Sequence, residues 1–193
     1  APVFSGPQDQ YPKSLKAGPA LSSQQLPSTT QAGVAILANN HMMDFGKAGL
    51  SATMDSIQIS GWSYAGAGLN KQQAESPVIF DWAGRKAAVI ARCEAQFGIA
   101  STSKPGVAAF DPTIYQQISE LKKQVDIVIV SIHAAAEMVP WPSPRRQETW
   151  RSLIDAGADV IHGHHAHVPQ GWEKYKGGFI FYGLGNFCVD PRK

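Results

Sequence analysis

A chain of 193 residues with 44% hydrophobic and 17% charged residues has the size and composition to bury a core, which excludes a disordered protein. A formal net charge of +2 without a dense basic stripe excludes a nucleic-acid-binding surface, and the longest apolar strand, Ile127–Ile132, falls far short of the ~20 residues that span a membrane. The two cysteines, Cys93 and Cys188, permit one bridge but no disulfide framework. In chain order, residues 1–31 are rich in Pro, Ser, Gln and Gly, and read as an irregular arm with a short helix around 13–16 or 22–25; Ala1–Ser5 shows neither a basic nor an apolar leader region. Val34–Ala38 is a compact apolar run, expected as a buried strand. Residues 47–59 carry Leu50, Met54 and Ile57 at helical spacing and stop at Gly61. Pro77–Asp81 and Arg85–Ala91 read as two strands joined through Ala83-Gly84. Asp111-Pro112 opens a helix with Ile114, Ile118, Leu121 and Val125 inward, and Asp126–Ile132 is the clearest strand. Ser143-Pro144 opens another helix, with Trp150, Leu153 and Ile154 inward and Gly157 ending it. Val160-Ile161 and Phe179–Tyr182 are two further short strands. Strands alternating with helices predict an α/β fold with a largely parallel sheet.

Four of the six histidines fall in His162-Gly163-His164-His165-Ala166-His167. Neutral imidazole offers a nitrogen lone pair, and residues two apart on extended backbone, such as His165 and His167, share one side. Other strands also run into polar residues: Asn39-Asn40-His41, Arg92-Cys93-Glu94, His133 with Glu137 soon after, and Gly183-Leu184-Gly185-Asn186. Open α/β sheets bind ligands outside the carboxyl ends of their strands, so these segments are expected to converge there. Each has a structural alternative: turn and cap residues for 39–41, a hydrogen-bonded strand end for His133, positive φ for the glycines, and for His162 a place in the strand beside the core. The cysteines are read first as packing residues, with a disulfide open. Nitrogen donors with an Asn oxygen favour Zn²⁺, Mn²⁺ or Fe²⁺ over Ca²⁺, and a two-ion site needs a bridging carboxylate: either Glu94 or Glu137 supplies it, or the site is incomplete as given.

These residues resemble the poly-γ-glutamate capsule-synthesis, or CapA-type, family, relatives of the calcineurin-like metallophosphatases. The resemblance runs from about Ala32 to Pro191 through Leu37–His41 with Asp44 and Gly46, Gly66–Gly68, Val130–His133, Pro142–Arg145, Ile154–Asp159, Gly163–His167 and Tyr182–Phe187. It implies one metallophosphatase-like domain over 32–193, a layered sandwich whose first strands, with their metal-binding carboxylates, are missing from a chain cut at its front, with a further cut after Lys193 left open. It further implies two divalent ions (Mn, Zn or Fe) in the intact protein, held by Asn40, His133, His165 and His167. His41 is implied as the general acid, with Asp44 as its carboxylate, and Arg145 and His164 as substrate-binding residues. The implied function is metal-dependent hydrolysis of a phosphoester or related acyl bond in capsule or envelope polymer synthesis. An anionic polymer or phosphoester is the implied substrate, a capsule-synthesis membrane enzyme complex the implied partner, and an extracytoplasmic, cell-envelope location follows. A non-catalytic envelope scaffold and a cytosolic phosphodiesterase stand as the alternatives.

Overall fold

The computed structural model describes residues 33–95 and 98–186. They divide into two compact units: one comprises the residues up to Val78 together with Ile90–Phe110, the other Ile79–Val89 and the residues from Asp111 onward. The expected short helix in the arm, and Cys188 with the bridge to Cys93 that the sequence left open, lie outside the described residues.

In the first unit, strand β1 (Val34–Ile36) and strand β2 (Ser63–Ala65) pair in parallel, Val34 opposite Ser63 and Ile36 opposite Ala65, and helix α1 (Gly46–Ile59) connects them. The periodicity of α1 is realised, with Leu50, Met54 and Ile57 buried alongside Gly49 and Thr53. Strand β3 (Ala67–Gly68) follows, then the short helix α2 (Lys71–Glu75), capped by the Asn70 side chain accepting from the Gln73 amide at 2.9 Å.

Strand β4 (Val78–Trp82) and strand β5 (Arg85–Cys93) form the expected hairpin; Ala83 (φ 50°) and Gly84 (φ 76°) make its two-residue turn. Beyond Val89, β5 belongs to the first unit, and Cys93 at its end is buried. Strand β6 (Gly106–Val107) pairs antiparallel with β3. Helix α3 (Thr113–Lys122) starts one residue later than the Pro cue suggests, and the Asp111 carboxylate accepts from the Thr113 amide at 3.0 Å.

The sheet of the second unit is completed by β7 (Ile127–His133), β8 (Val160–His164), β9 (Pro169–Tyr175) and β10 (Gly178–Leu184), in the order β4-β5-β7-β8-β10-β9. β7, β8 and β10 are mutually parallel, as expected for an α/β chain, whereas β9 is antiparallel to β10. Helix α4 (Pro144–Asp155) has Ser143 as its N-cap and buries Trp150, Leu153 and Ile154. α3 packs on β7, and α4 on β8 and β10. Alternation then sorts the strands: Val128, Val130, Ile132, Ile161, Ile180 and Tyr182 are buried with the helices, while Ser131, His133, His162 and His164 share the opposite face. Among the described residues no helix is long and apolar enough to cross a membrane.

A polar clamp ties α4 to the β9–β10 hairpin. Arg151 grips Glu173 with two bonds of 2.7 and 2.8 Å, and the Tyr182 hydroxyl donates to the same carboxylate at 2.7 Å. The Arg151 bond holds the Glu173 carboxyl below its ordinary 4.5, and burial, with the bond to Glu173, raises the Tyr182 phenol. Because the folded carboxyl is the stronger acid, its stabilisation is complete above pH 4.5 and is lost as pH falls through the folded value. Melting curves between pH 7 and 3 should therefore show a steeper acid loss for the wild type than for Glu173→Gln. Parallel profiles would contradict this.

Candidate metal centre

The residues around the histidine cluster are placed by strand register. In the parallel β7–β8 pair, Ser131 lies opposite His162 and His133 opposite His164, so all four project from one face. They are hydrogen-bonded in a row. His162 Nδ1 is 2.9 Å from Ser131 Oγ, Ser131 Oγ is 3.3 Å from His164 Nε2, and His164 Nδ1 is 2.8 Å from His133 Nδ1. Burial lowers the basicity of His162, and burial first, then the neighbouring His162 and His165, pushes His164 down to about 3. Both rings are thus neutral near pH 7.

Beyond β8 the chain turns sharply. His165 and His167 are not on extended backbone, as their spacing had suggested; both have left-handed φ values, 97° and 62°. Such a conformation is uncommon outside glycine and clusters at functional sites. The buried His165 ring stacks on His133 with centroids 4.2 Å apart, and His167 Nδ1 meets Asn186 Oδ1 at 3.0 Å.

The segment after β7 runs alongside this turn. The Ala134 amide donates to the His164 carbonyl at 3.2 Å and the Met138 amide to the Ala166 carbonyl at 2.8 Å, which sets Glu137 beside His165, Oε1 to Nδ1 3.8 Å. Donor atoms of Glu137, His165 and His167 all lie within 4.8 Å of one another. Two imidazoles and a carboxylate suit a borderline divalent cation, so the residues present fit a metal. Of the two carboxylates left open by the sequence, Glu137 lies beside the histidines of the second unit, and Glu94 belongs to the first unit.

The remaining expected residues are placed as follows. His164 is committed to the hydrogen-bonded row. Arg145 is exposed in the first turn of α4; its neighbour Arg146 is the one tied into the fold, bonding Gln170 at 3.3 Å and lying over the Trp150 ring. Asn40, His41 and Asp44 belong to the first unit, in the turns after β1. There His41 Nδ1 is 2.7 Å from Asp44 Oδ2, the Asp44 carboxyl is fully buried, and the His41 side chain is about half exposed at 48%. The Asn39 carboxamide accepts from the His41 amide at 2.9 Å and fixes the turn. The His41 ring is thus held at one nitrogen by a buried carboxylate.

Ser131 and His162 were not singled out as site residues by the sequence. Their signal lies in the β7–β8 register, which only the paired strands supply.

Residues 3–191 match the family described as bacterial capsule synthesis protein PGA_cap. The chain belongs to this family. It is 37% identical over 161 residues to the capsule biosynthesis protein CapA of Bacillus anthracis, covering 80% of this chain and 39% of that protein. To the PGA biosynthesis protein CapA of Bacillus subtilis it is 37% identical over 157 residues, 79% of this chain and 41% of that one. A probable polyglutamine synthesis accessory protein of Mycobacterium tuberculosis is 30% identical over 171 residues, 81% and 45% of the two chains. The chain thus spans less than half the length of these relatives. Among solved structures, a hypothetical protein from Thermus thermophilus overlaps 76% of this chain and 51% of its own, with TM-score 0.48 and 15% identity. A novel phosphatase from Mycoplasma pneumoniae overlaps 56% and 35%, with TM-score 0.38 and 18% identity.

Proposed function

We propose that this PGA_cap chain is part of a metal-dependent hydrolase acting in capsule or cell-envelope polymer synthesis of the poly-γ-glutamate type. The observation that carries the reading is the group Glu137, His165 and His167, whose donor atoms lie within 4.8 Å of one another beside the ends of parallel strands. His165, His167 and Glu137 would hold the cation, with His133 stacked on His165 as a further nitrogen donor. A divalent cation in such a site supplies Lewis-acid polarisation of a phosphoryl or acyl oxygen. The protein's part is to present unprotonated donors: the depressed basicity of His162 and His164 keeps positive charge away from the cation. The names of the relatives, a capsule and a PGA biosynthesis protein, support the role in capsule polymer synthesis. An anionic polymer or a phosphoester as substrate, a capsule-synthesis enzyme complex as partner, and an extracytoplasmic, envelope-associated location are proposed with it.

His41 is proposed as the proton donor. Asp44, bonded to Nδ1 at 2.7 Å, holds a proton there and leaves Nε2 to deliver one to a leaving-group oxygen. On this account His41→Gln lowers hydrolysis about a hundredfold or more, and the loss is greatest for esters with poor leaving groups. Asp44→Asn follows the same trend. Equal losses for good and poor leaving groups would remove His41 from that step.

Elemental analysis of protein purified without chelator or affinity histidines tests the metal reading. At least one equivalent of Mn, Zn or Fe per chain is expected, reduced in His165→Ala and His167→Ala. Metal binding with no hydrolysis of phosphoesters or γ-glutamyl bonds would favour the scaffold reading.

A further inference from the structure

We propose that Ser131, His164 and His162 are positioning residues that hold His133 in its Nδ1–H tautomer and so turn its Nε2 lone pair into the donor. The tautomer claim follows from the hydrogen-bonded row alone; its consequence for metal affinity rests on the metal-centre reading above.

The argument is one of proton counting. A bond between two imidazole nitrogens requires one to carry hydrogen and the other a lone pair. His133 and His164 meet nitrogen to nitrogen, at Nδ1 of each ring, 2.8 Å apart. With every ring neutral, three arrangements of the row are complete. In the first, His133 Nδ1–H donates to His164 Nδ1, His164 Nε2–H donates to Ser131 Oγ, and the Ser131 hydroxyl donates to His162 Nδ1. In the second every bond is reversed: His162 Nδ1–H donates to Ser131, Ser131 to His164 Nε2, and His164 Nδ1–H to His133. In the third, His162 Nδ1–H and His164 Nε2–H both donate to the two lone pairs of Ser131 Oγ, and His133 Nδ1–H donates to His164 Nδ1; Ser131 has one hydroxyl proton and cannot donate to both histidines.

The arrangements differ in what His133 presents at its other nitrogen. The first and third give Nε2 a lone pair and the second gives it a hydrogen. Neutral imidazole intrinsically favours the Nε2–H form, and the first arrangement places two of its three rings in that form, against one in each of the others. A cation bound at His133 Nε2 adds to the same preference. A hydrogen bond to the second ring nitrogen commonly fixes tautomer and ring orientation in metal-ligating histidines, and its loss typically costs ~10–100-fold in affinity. Here the fixing group is a further histidine backed by a serine 1% exposed, so the row is rigidly held by the β7–β8 register.

The test is two-bond ¹H–¹⁵N correlation spectroscopy of the histidine rings, first metal-free and then with Zn²⁺, a diamagnetic probe. The expected result in both states is Nδ1–H for His133 and Nε2–H for His164 and His162. The reverse set, Nδ1–H for His164 and His162, would overturn the proposal. In Ser131→Ala, His164 and His133 should lose their single tautomers, and the Zn²⁺ dissociation constant should rise ~10–100-fold. Ser131→Thr, which keeps the hydroxyl, should restore both. An unchanged tautomer pattern in a folded Ser131→Ala variant would also overturn the proposal. If the wild type shows the expected tautomers yet takes up no Zn²⁺, Mn²⁺ or Fe²⁺, the metal reading fails and the tautomer assignment stands.

Discussion

The His165→Ala variant is expected to lose divalent-metal binding and, with it, at least about a hundredfold in hydrolytic rate, while remaining folded. His165 sits at the centre of the cluster: it stacks on His133 at 4.2 Å, approaches Glu137 at 3.8 Å, and shares the 4.8 Å donor group with His167. Removing it takes away one ligand and also the ring that packs between two others. Its backbone conformation, φ 97°, is one that histidine and asparagine adopt more readily than alanine, so the alanine variant carries added backbone strain that the asparagine variant avoids. Comparing His165→Ala with His165→Asn by titration calorimetry and thermal melting separates the effects. Lost metal heats in both, with His165→Asn melting above His165→Ala, are expected; metal heats equal to wild type would remove His165 from the site.

Gly163→Ala is expected to give the largest loss of stability of any single-methyl change in the second unit. A Cβ on Gly163 would lie 2.1 Å from the Trp150 ring and 2.4 Å from the Tyr182 carbonyl oxygen. Trp150 is 2% exposed and stacks on Tyr182 at 5.2 Å with an interplanar angle of 9°, so neither can retreat without opening the α4–β10 contact. Overpacking of a dense core costs ~1–3 kcal/mol, and a backbone oxygen in the way puts this position at the upper end. For a domain of this size that corresponds to a fall of about 6–12 °C in Tm. A decrease under 2 °C by calorimetry would show that β8 can shift away from α4. The position also matters for the site: β8 carries His162 and His164 on either side of Gly163, so a displaced strand would lengthen the bonds to Ser131 and His133.

The helices were legible in the sequence because burial alone dictates their period. Leu50, Met54 and Ile57 in α1, and Ile114, Ile118 and Leu121 in α3, are the apolar positions of amphipathic segments and are the residues buried. β9 escaped because Pro169–Tyr175 shows no apolar alternation: Trp172 is exposed, and the strand is held by pairing with β10 through a turn at Lys176 (φ 44°) and Gly177 (φ 94°). A Lys-Gly turn is a weak hairpin signal beside Asn-Gly. The two-residue strands β3 and β6 are too short to show any period.

In the site, the identity of the histidines was legible and their geometry was not. His165 and His167 share a site because of two left-handed residues, not because of strand alternation. The placing of Glu137 beside the histidines depends on the bonds from Ala134 to His164 and from Met138 to Ala166, contacts between segments some thirty residues apart. The His41–Asp44 pair, implied by the resemblance, is local, and three residues of a tight turn bring Nδ1 and Oδ2 to 2.7 Å.

The central claim is that Glu137, His165 and His167 hold a divalent cation. The most direct measurement is an anomalous difference map from crystals soaked in Mn²⁺ or Zn²⁺, recorded on both sides of the metal edge. A peak about 2.0–2.2 Å from imidazole nitrogens of His165 and His167 and from a Glu137 oxygen is the expected result. A metal peak elsewhere, with these three side chains unligated at saturating metal, would contradict the account.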